Sequence, residues 1–95
     1  MEVKFKKIAE EIAELVAEKN KAYGDSFGRA GEVIRILYPN EISPEQYEDM
    51  LVMIRVIDKL FRIATFKKAF EEDPWVDIMG YALLAVSRNQ KNKEN

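Results

Sequence analysis

Apolar residues recur at intervals of three and four along three long segments of this chain, and this spacing constrains the fold more than any other feature of the sequence. Over the first segment, from about Glu2 to Ala22, they form a single stripe, which predicts a helix with one buried face. Over the second, which extends to about Phe70, they cover more than half of the helical circumference and predict a central, heavily buried helix. The third, from Pro74 to about Arg88, is apolar almost all round, so we expect its helix in the interior or against another subunit.

Two proline-containing pairs mark where the last two long helices begin. Ser43 is a preferred N-cap residue, Pro44 follows it in the first turn, and Gln46 is placed to bond back to the cap. Asp73 and Pro74 repeat the pattern before the last helix. The two pairs therefore predict helix starts at Pro44 and at Pro74.

A short helix is predicted between the first two long ones, from Gly28 to Leu37. Gly24 and Asp25 end the first long helix, and no strand pattern competes with the helical segments. We therefore expect an all-α fold, a small helical bundle of three long helices plus one short helix. It forms a single domain over residues 1–90, with a disordered tail at 91–95. We also expect it to be oligomeric, because a bundle this small could hardly cover its last helix.

Cysteine and histidine are both absent from the 95 residues. Their absence excludes disulfides, thiol chemistry, Ser-His-Asp triads and ordinary zinc sites. A metal would need oxygen ligands, which favours Mg²⁺, Mn²⁺ or Ca²⁺. Acid–base chemistry would fall to Asp, Glu, Lys or Tyr.

The charge balance gives no sign of a nucleic-acid or membrane surface. The net charge is −2, and lysine and arginine are scattered along the chain. No apolar run approaches the roughly 18 residues that a membrane span needs, and no signal-peptide pattern opens the chain. We therefore expect a cytoplasmic protein that binds neither a membrane nor nucleic acid.

Lys19 falls on the apolar stripe of the first helix, in line with Ile8, Ile12 and Leu15. Two interpretations are open. A lysine near a helix end often lays its methylenes along apolar surface and keeps its charge in water. Alternatively, Lys19 points into a partly desolvated cleft and meets an anion there.

Arg55, Asp58 and Arg62 share one stripe of the third helix, because they are three and four residues apart. They could form an intrahelical ladder of ion pairs with a purely structural role. They could instead supply a carboxylate ligand flanked by two phosphate-binding guanidiniums.

Asp77 is the one charged residue in the apolar part of the last helix. A carboxylate there is costly unless it is paired or bound to a metal. It could pair with an arginine of the third helix, or it could face a metal together with Asp73, one turn earlier, although capping alone explains Asp73. On the first helix, Glu11 and Glu18 flank the apolar stripe most closely and could turn inward.

Three sequence blocks carry a resemblance to a known family. They are "KNKAYGDSF" (Lys19 to Phe27), "RVIDKLFRIAT" (Arg55 to Thr65) and "AFEEDPWVDIMGYALL" (Ala69 to Leu84). In this order they resemble the nucleotide-modification-associated domain 1 family, which consists of small, mostly phage-encoded proteins. More distantly, that family is similar to the all-α nucleotide pyrophosphohydrolases of the MazG-like and dimeric-dUTPase group.

The resemblance implies a phage-type protein of nucleotide metabolism, in the cytoplasm of a bacterium or an infected host, that binds a nucleoside triphosphate with Mg²⁺ or Mn²⁺. If the chain is an enzyme, the implied activity is that of a Mg-dependent nucleotide pyrophosphohydrolase, which releases a monophosphate and pyrophosphate. The roles expected on this basis are catalytic for Lys19, Asp58 and Asp77, nucleotide-binding or phosphate-binding for Lys19, Asn20, Tyr23, Arg55, Lys59 and Arg62, and metal-binding for Asp58, Asp77, Asp73, Glu72 and Glu11.

A second interpretation is a non-enzymatic phage accessory protein. The polar residues would then form a salt-bridge network that fixes the register of the helices, and exposed apolar surface would bind another copy or a host protein. Self-association as a dimer or tetramer is expected under both interpretations.

Overall fold

The computed structural model of the chain describes residues 2–68 and 72–94, and side-chain exposure within residues 3–68 and 72–91. All regular structure in these ranges is helical, with no strand. The elements are α1 (Glu2–Ala22), α2 (Ser26–Leu37), a 3₁₀ turn (Pro44–Gln46), α3 (Tyr47–Phe66) and α4 (Pro74–Glu94). The predicted all-α fold, with three long helices and one short one, is confirmed.

Hydrogen bonds at both predicted starts confirm the proline-containing pairs. The backbone N–H of Ser43 donates to Oε1 of Gln46 at 2.9 Å, and the Ser43 hydroxyl donates to the same oxygen at 3.2 Å. At the start of α4, the N–H of Trp75 donates to Oδ1 of Asp73 at 3.0 Å. Asp73 therefore has the capping role that its position predicts.

The third long helix opens at the predicted Pro44 as a 3₁₀ turn and becomes α-helical at Tyr47, and three other helix boundaries differ from the predicted ones. α2 begins at Ser26, two residues before the predicted start. α3 ends at Phe66, while the predicted end at Phe70 lies outside the described residues. α4 continues to Glu94, past Arg88 and into the segment predicted to be a disordered tail. Apolar spacing stops marking a helix once no face is buried, so it missed this polar extension.

A sharp corner joins α1 to α2 and sets the position of the residues around it. Gly24 and Asp25 both adopt left-handed backbone conformations, with φ of 62° and 56°. The carbonyl of Asp25 accepts the N–H groups of Gly28 and Arg29 at 3.1 Å, which anchors the first turn of α2. The backbone of Gly24 lies against the side chain of Thr65, so the corner brings the end of α1 against the end of α3.

The core of the single chain is small. α3 packs against α4 and α2, and α1 touches α3 only slightly. Ala22, Ile57 and Pro74 are the buried apolar residues of the described part. The prediction that α3 is heavily buried is wrong for the single chain, because Leu51 and Leu60 are about half exposed. α1 does not lie along α3 and therefore leaves that face open.

α4 is not an interior helix of the single chain. Trp75, Met79 and Leu84 each expose half or more of their surface. Of the two predicted positions for this helix, only packing against another subunit stays open, as a prediction. None of the described helices combines the length and the apolar character that crossing a membrane would need.

Candidate functional site

Polar side chains from all three sequence blocks meet around Tyr23, where the corner between α1 and α2 faces α3. The Nζ of Lys59 and the Cζ of Arg62 each lie 5.9 Å from the centroid of the Tyr23 ring. Cations at this distance from an aromatic face are attracted by its quadrupole. We call this group the Tyr23 cluster; its members are Tyr23, Ser26, Asp58, Lys59, Arg62, Glu72 and Asp77.

Asp58 is held by α2. The hydroxyl of Ser26, which is buried at the first residue of α2, donates a hydrogen bond to the Asp58 carboxylate. Ser26 had no role in the sequence-based assignment, although it lies three residues after Tyr23 in the first block. Its position depends on the two left-handed residues that precede it, and apolar spacing does not reveal them.

Arg62 is the most deeply buried residue of the cluster, with 0% exposure. Its guanidinium donates to the carboxylate of Glu72 at 3.3 Å and to the main-chain carbonyl of the same residue. Arg62 therefore ties α3 to the segment that leads into α4. Its burial argues for a positioning role rather than for direct contact with a ligand in solution.

Asp77 is paired, and its partner is a lysine of α3 rather than an arginine. The Nζ of Lys59 lies 3.5 Å from the Asp77 carboxylate, with 14% of the lysine side chain and 38% of the aspartate side chain exposed. This pair links α3 to α4 at the edge of the Tyr23 cluster. The pairing explains how a carboxylate is accommodated in the apolar part of α4.

Replacing Asp77 with asparagine is therefore expected to lower the free energy of unfolding by no more than about 1 kcal/mol, because partly exposed ion pairs contribute little. Urea unfolding of both proteins measures the change. Glu48→Gln is the matched control, since Glu48 pairs with Arg88 at 3.1 Å in a more exposed setting. A clear gain in stability for Asp77→Asn would instead indicate repulsion between carboxylates that converge on a metal site.

Arg55 lies one turn before Lys59 on α3, outside the Tyr23 cluster. Its Cζ is 5.7 Å from the centroid of the Tyr81 ring on α4. Both residues line an open groove of about 650 Å³ between α3 and α4, which also includes Leu51 and Leu84. Tyr81 is a second residue that the sequence-based assignment left without a role.

The remaining predicted residues lie elsewhere. Lys19 and Asn20 are exposed in the last part of α1, and Glu11 is exposed further back on the same helix. The main-chain carbonyl of Asn20 accepts the N–H of Asp25 at 3.0 Å. Asp73 is occupied as the cap of α4. The predicted residues therefore divide between the Tyr23 cluster, the groove, the N-terminal cap of α4 and the surface of α1.

The acidic residues of the described ranges do not form a ready metal cage. No group of three or more Asp or Glu residues that could hold a metal ion occurs there. Asp58 accepts a hydrogen bond from Ser26, and Asp77 pairs with Lys59. Mg²⁺ often binds through one or two carboxylates together with substrate phosphates. The residues present fit that mode better than a metal held by the protein alone.

Comparison with protein-family models, with curated proteins and with solved structures gives no match. The family resemblance therefore rests on the three sequence blocks, and the site is argued from its own geometry.

Proposed function

We propose that this chain is a small, phage-type helical protein of nucleotide metabolism that binds a nucleoside triphosphate along α3. The observation that carries the proposal is the succession of Lys59 and Arg55, one helical turn apart on α3, with Arg55 in the wall of the groove. Side chains one helical turn apart project to the same side of the helix, so both cations can reach the oxygens of one triphosphate. Lys59 is the first proposed phosphate ligand, and Arg55 is the second.

The groove beyond Arg55 is proposed to hold the nucleoside. Its volume of about 650 Å³ falls within the usual range for small-molecule sites. Tyr81 offers an aromatic face, and Leu51 and Leu84 offer apolar walls. The Tyr23 cluster supports the phosphate end from the other side, where Arg62 and Ser26 hold α3 against its neighbours. Lys19 and Asn20 stay predicted contacts on the adjoining part of α1.

The divalent metal is proposed to enter with the triphosphate. Asp77 and Asp58 supply at most two carboxylates, so Mg²⁺ or Mn²⁺ would be held mainly by phosphate oxygens. Binding is the core of the proposed function. Hydrolysis to a monophosphate and pyrophosphate would make the chain a Mg-dependent nucleotide pyrophosphohydrolase, and pyrophosphate release during the binding experiment reports it.

Thermal melting with and without Mg²⁺ or Mn²⁺, across ribo- and deoxynucleoside triphosphates, tests the proposal. A ligand at a hundred times its dissociation constant adds about 2.7 kcal/mol of stability, which raises the melting temperature by several degrees. We expect such a shift for at least one triphosphate with metal, and a much smaller one for the same nucleoside without phosphates. No shift from any nucleotide at millimolar concentration would contradict the proposal.

A second candidate function is supported by the exposed apolar surface. α1, α3 and α4 all present large apolar side chains to solvent in the single chain. The Lys59–Asp77 and Arg62–Glu72 pairs would then be structural links in a non-enzymatic accessory protein that acts by protein–protein interaction. A melting temperature that no nucleotide of the panel changes favours this candidate.

A further inference from the structure

α1 stands out from the rest of the chain with its apolar stripe uncovered. Every described side chain from residue 3 to residue 21 is exposed. Phe5 exposes 65% of its surface and Ile12 exposes 53%. A helix of this length gains most of its stability from packing of its apolar face. Something must therefore cover α1 in solution.

The surface area indicates how much is left to cover. The chain has an accessible surface of 8017 Å², whereas a compact monomer of its mass exposes roughly 5,600 Å². The excess of about 2,400 Å² per chain is on the scale that a permanent homodimer buries. The radius of gyration of 17.1 Å also exceeds the roughly 12 Å expected for a compact chain of this length.

The spacing of the stripe identifies the kind of partner. Phe5, Ile8, Ile12 and Leu15 follow one another at intervals of three, four and three, and Lys19 continues the series. This is the a/d repeat of a coiled coil, and Val16, which is also exposed, lies at a position beside it. The partner of α1 is therefore another helix laid along it.

We propose that the partner is α1 of a second copy of this chain, in antiparallel orientation about a two-fold axis near Glu10. In that register Phe5 packs on Leu15 of the second copy, and Ile8 packs on Ile12 of the second copy. Ala9 faces its own counterpart, where a small side chain lets the helices approach. A two-fold contact of this kind needs a self-complementary surface.

Charge sets the orientation. Lys4, Glu11 and Glu18 occupy the positions that flank the a/d seam on one side. The antiparallel register places Lys4 opposite Glu18 of the second copy, and this happens twice in each dimer. A parallel pair would instead place two copies of Lys19 against each other inside the seam. The same register sets the two copies of Glu11 opposite each other at the flank of the seam. Two attractive pairs and one repulsion at the solvent-exposed flank still favour the antiparallel dimer over a parallel pair, whose repulsion lies inside the seam.

The oligomeric state of the full chain is the first test, by sedimentation equilibrium at micromolar concentration. We expect a dimer for the unmodified chain. For Ile12→Glu we expect the dissociation constant of the dimer to be at least a hundredfold higher. Ala17→Glu is the matched control, because it adds the same charge on the side of α1 opposite the seam and should leave the dimer intact. A monomeric unmodified chain, which would assign α1 to a different protein, overturns the proposal, as does a dimer that survives Ile12→Glu.

A charge exchange keeps the test decisive if Ile12→Glu disturbs the helix. Lys4→Glu is expected to weaken the dimer roughly tenfold, and Lys4→Glu combined with Glu18→Lys should restore it. No restoration would overturn the antiparallel register. Carbodiimide cross-linking provides a direct view, since Lys4 and Glu18 of one helix are about 21 Å apart and can be joined only between chains. A dimer that yields other cross-links but never this one contradicts the orientation.

This inference stands apart from the nucleotide proposal, because it uses α1 and not the Tyr23 cluster or the groove. A dimer that binds no nucleotide would support it alone, and a monomer that binds nucleotide would overturn it alone.

Discussion

Replacing Arg62 with alanine is expected to lower the free energy of unfolding by about 3 kcal/mol, because the side chain is wholly buried and holds Glu72 by both its carboxylate and its main chain. The lost packing of the methylenes adds to the lost hydrogen bonds. Glu72 can turn to solvent once its partner is gone, which keeps the cost near the lower end for buried pairs. Urea unfolding, monitored by helical circular dichroism, measures the difference.

Arg55→Ala is the control for that experiment. Arg55 lies on the same helix but is exposed, so its removal should change stability by no more than about 0.5 kcal/mol. Arg62→Met separates charge from packing, because methionine refills part of the buried space and should recover part of the loss. If Arg62→Ala costs no more than Arg55→Ala, Arg62 does not tie α3 to the segment before α4.

Gly24→Ala is expected to cost about 2 kcal/mol of stability or more. A side chain at a φ of 62° is strained by roughly 1–2 kcal/mol. The new Cβ would also overlap the hydroxyl of Thr65 and lie 3.7 Å from the carbonyl of Phe61. The corner between α1 and α2 would have to open, which separates Tyr23 and Ser26 from α3. Chemical unfolding of the variant measures the loss.

Two other glycines serve as matched controls. A Cβ added at Gly31 or Gly80 meets no atom within 4 Å, and both residues lie inside helices. Alanine at either position should stabilise the chain by up to about 1 kcal/mol through helix propensity. Adding Thr65→Ala to Gly24→Ala should recover the part of the cost that comes from the overlap. A neutral Gly24→Ala would show that the corner is not fixed in its left-handed form.

Local signals in the sequence predicted the helices well. Ser43 and Asp73 specify helix starts through bonds to residues two or three positions away, so neighbouring residues suffice to predict them. Burial was predicted poorly, because much of the apolar surface of α3 and α4 stays exposed in the single chain. An apolar stripe shows that a face is to be covered, but it does not show what covers it.

The candidate site was only partly predicted, because the sequence pattern of one helix does not show how that helix packs against another. The three sequence blocks include five residues that lie together in the Tyr23 cluster, namely Tyr23, Asp58, Lys59, Arg62 and Asp77. The pairing of Asp77 with Lys59 rather than with an arginine depends on how α4 lies along α3, and helical spacing within one segment does not contain that information. The metal-binding and nucleotide-binding roles of these residues stay predictions.

Titration calorimetry with nucleoside triphosphates and Mg²⁺ tests the proposed triphosphate site on α3 most directly. The unmodified protein and Lys59→Gln are compared. Lys59→Gln combined with Asp77→Asn separates loss of the ligand cation from loss of the ion pair, and Arg35→Gln on the exposed part of α2 controls for net charge. We predict binding to the unmodified protein and to Arg35→Gln, and affinity at least about tenfold weaker for both variants that lack Lys59, since a hydrogen bond to a charged group contributes roughly 1.5–3 kcal/mol. Equal affinity with and without Lys59, or no binding to the unmodified protein at millimolar nucleotide, would contradict a triphosphate site on α3.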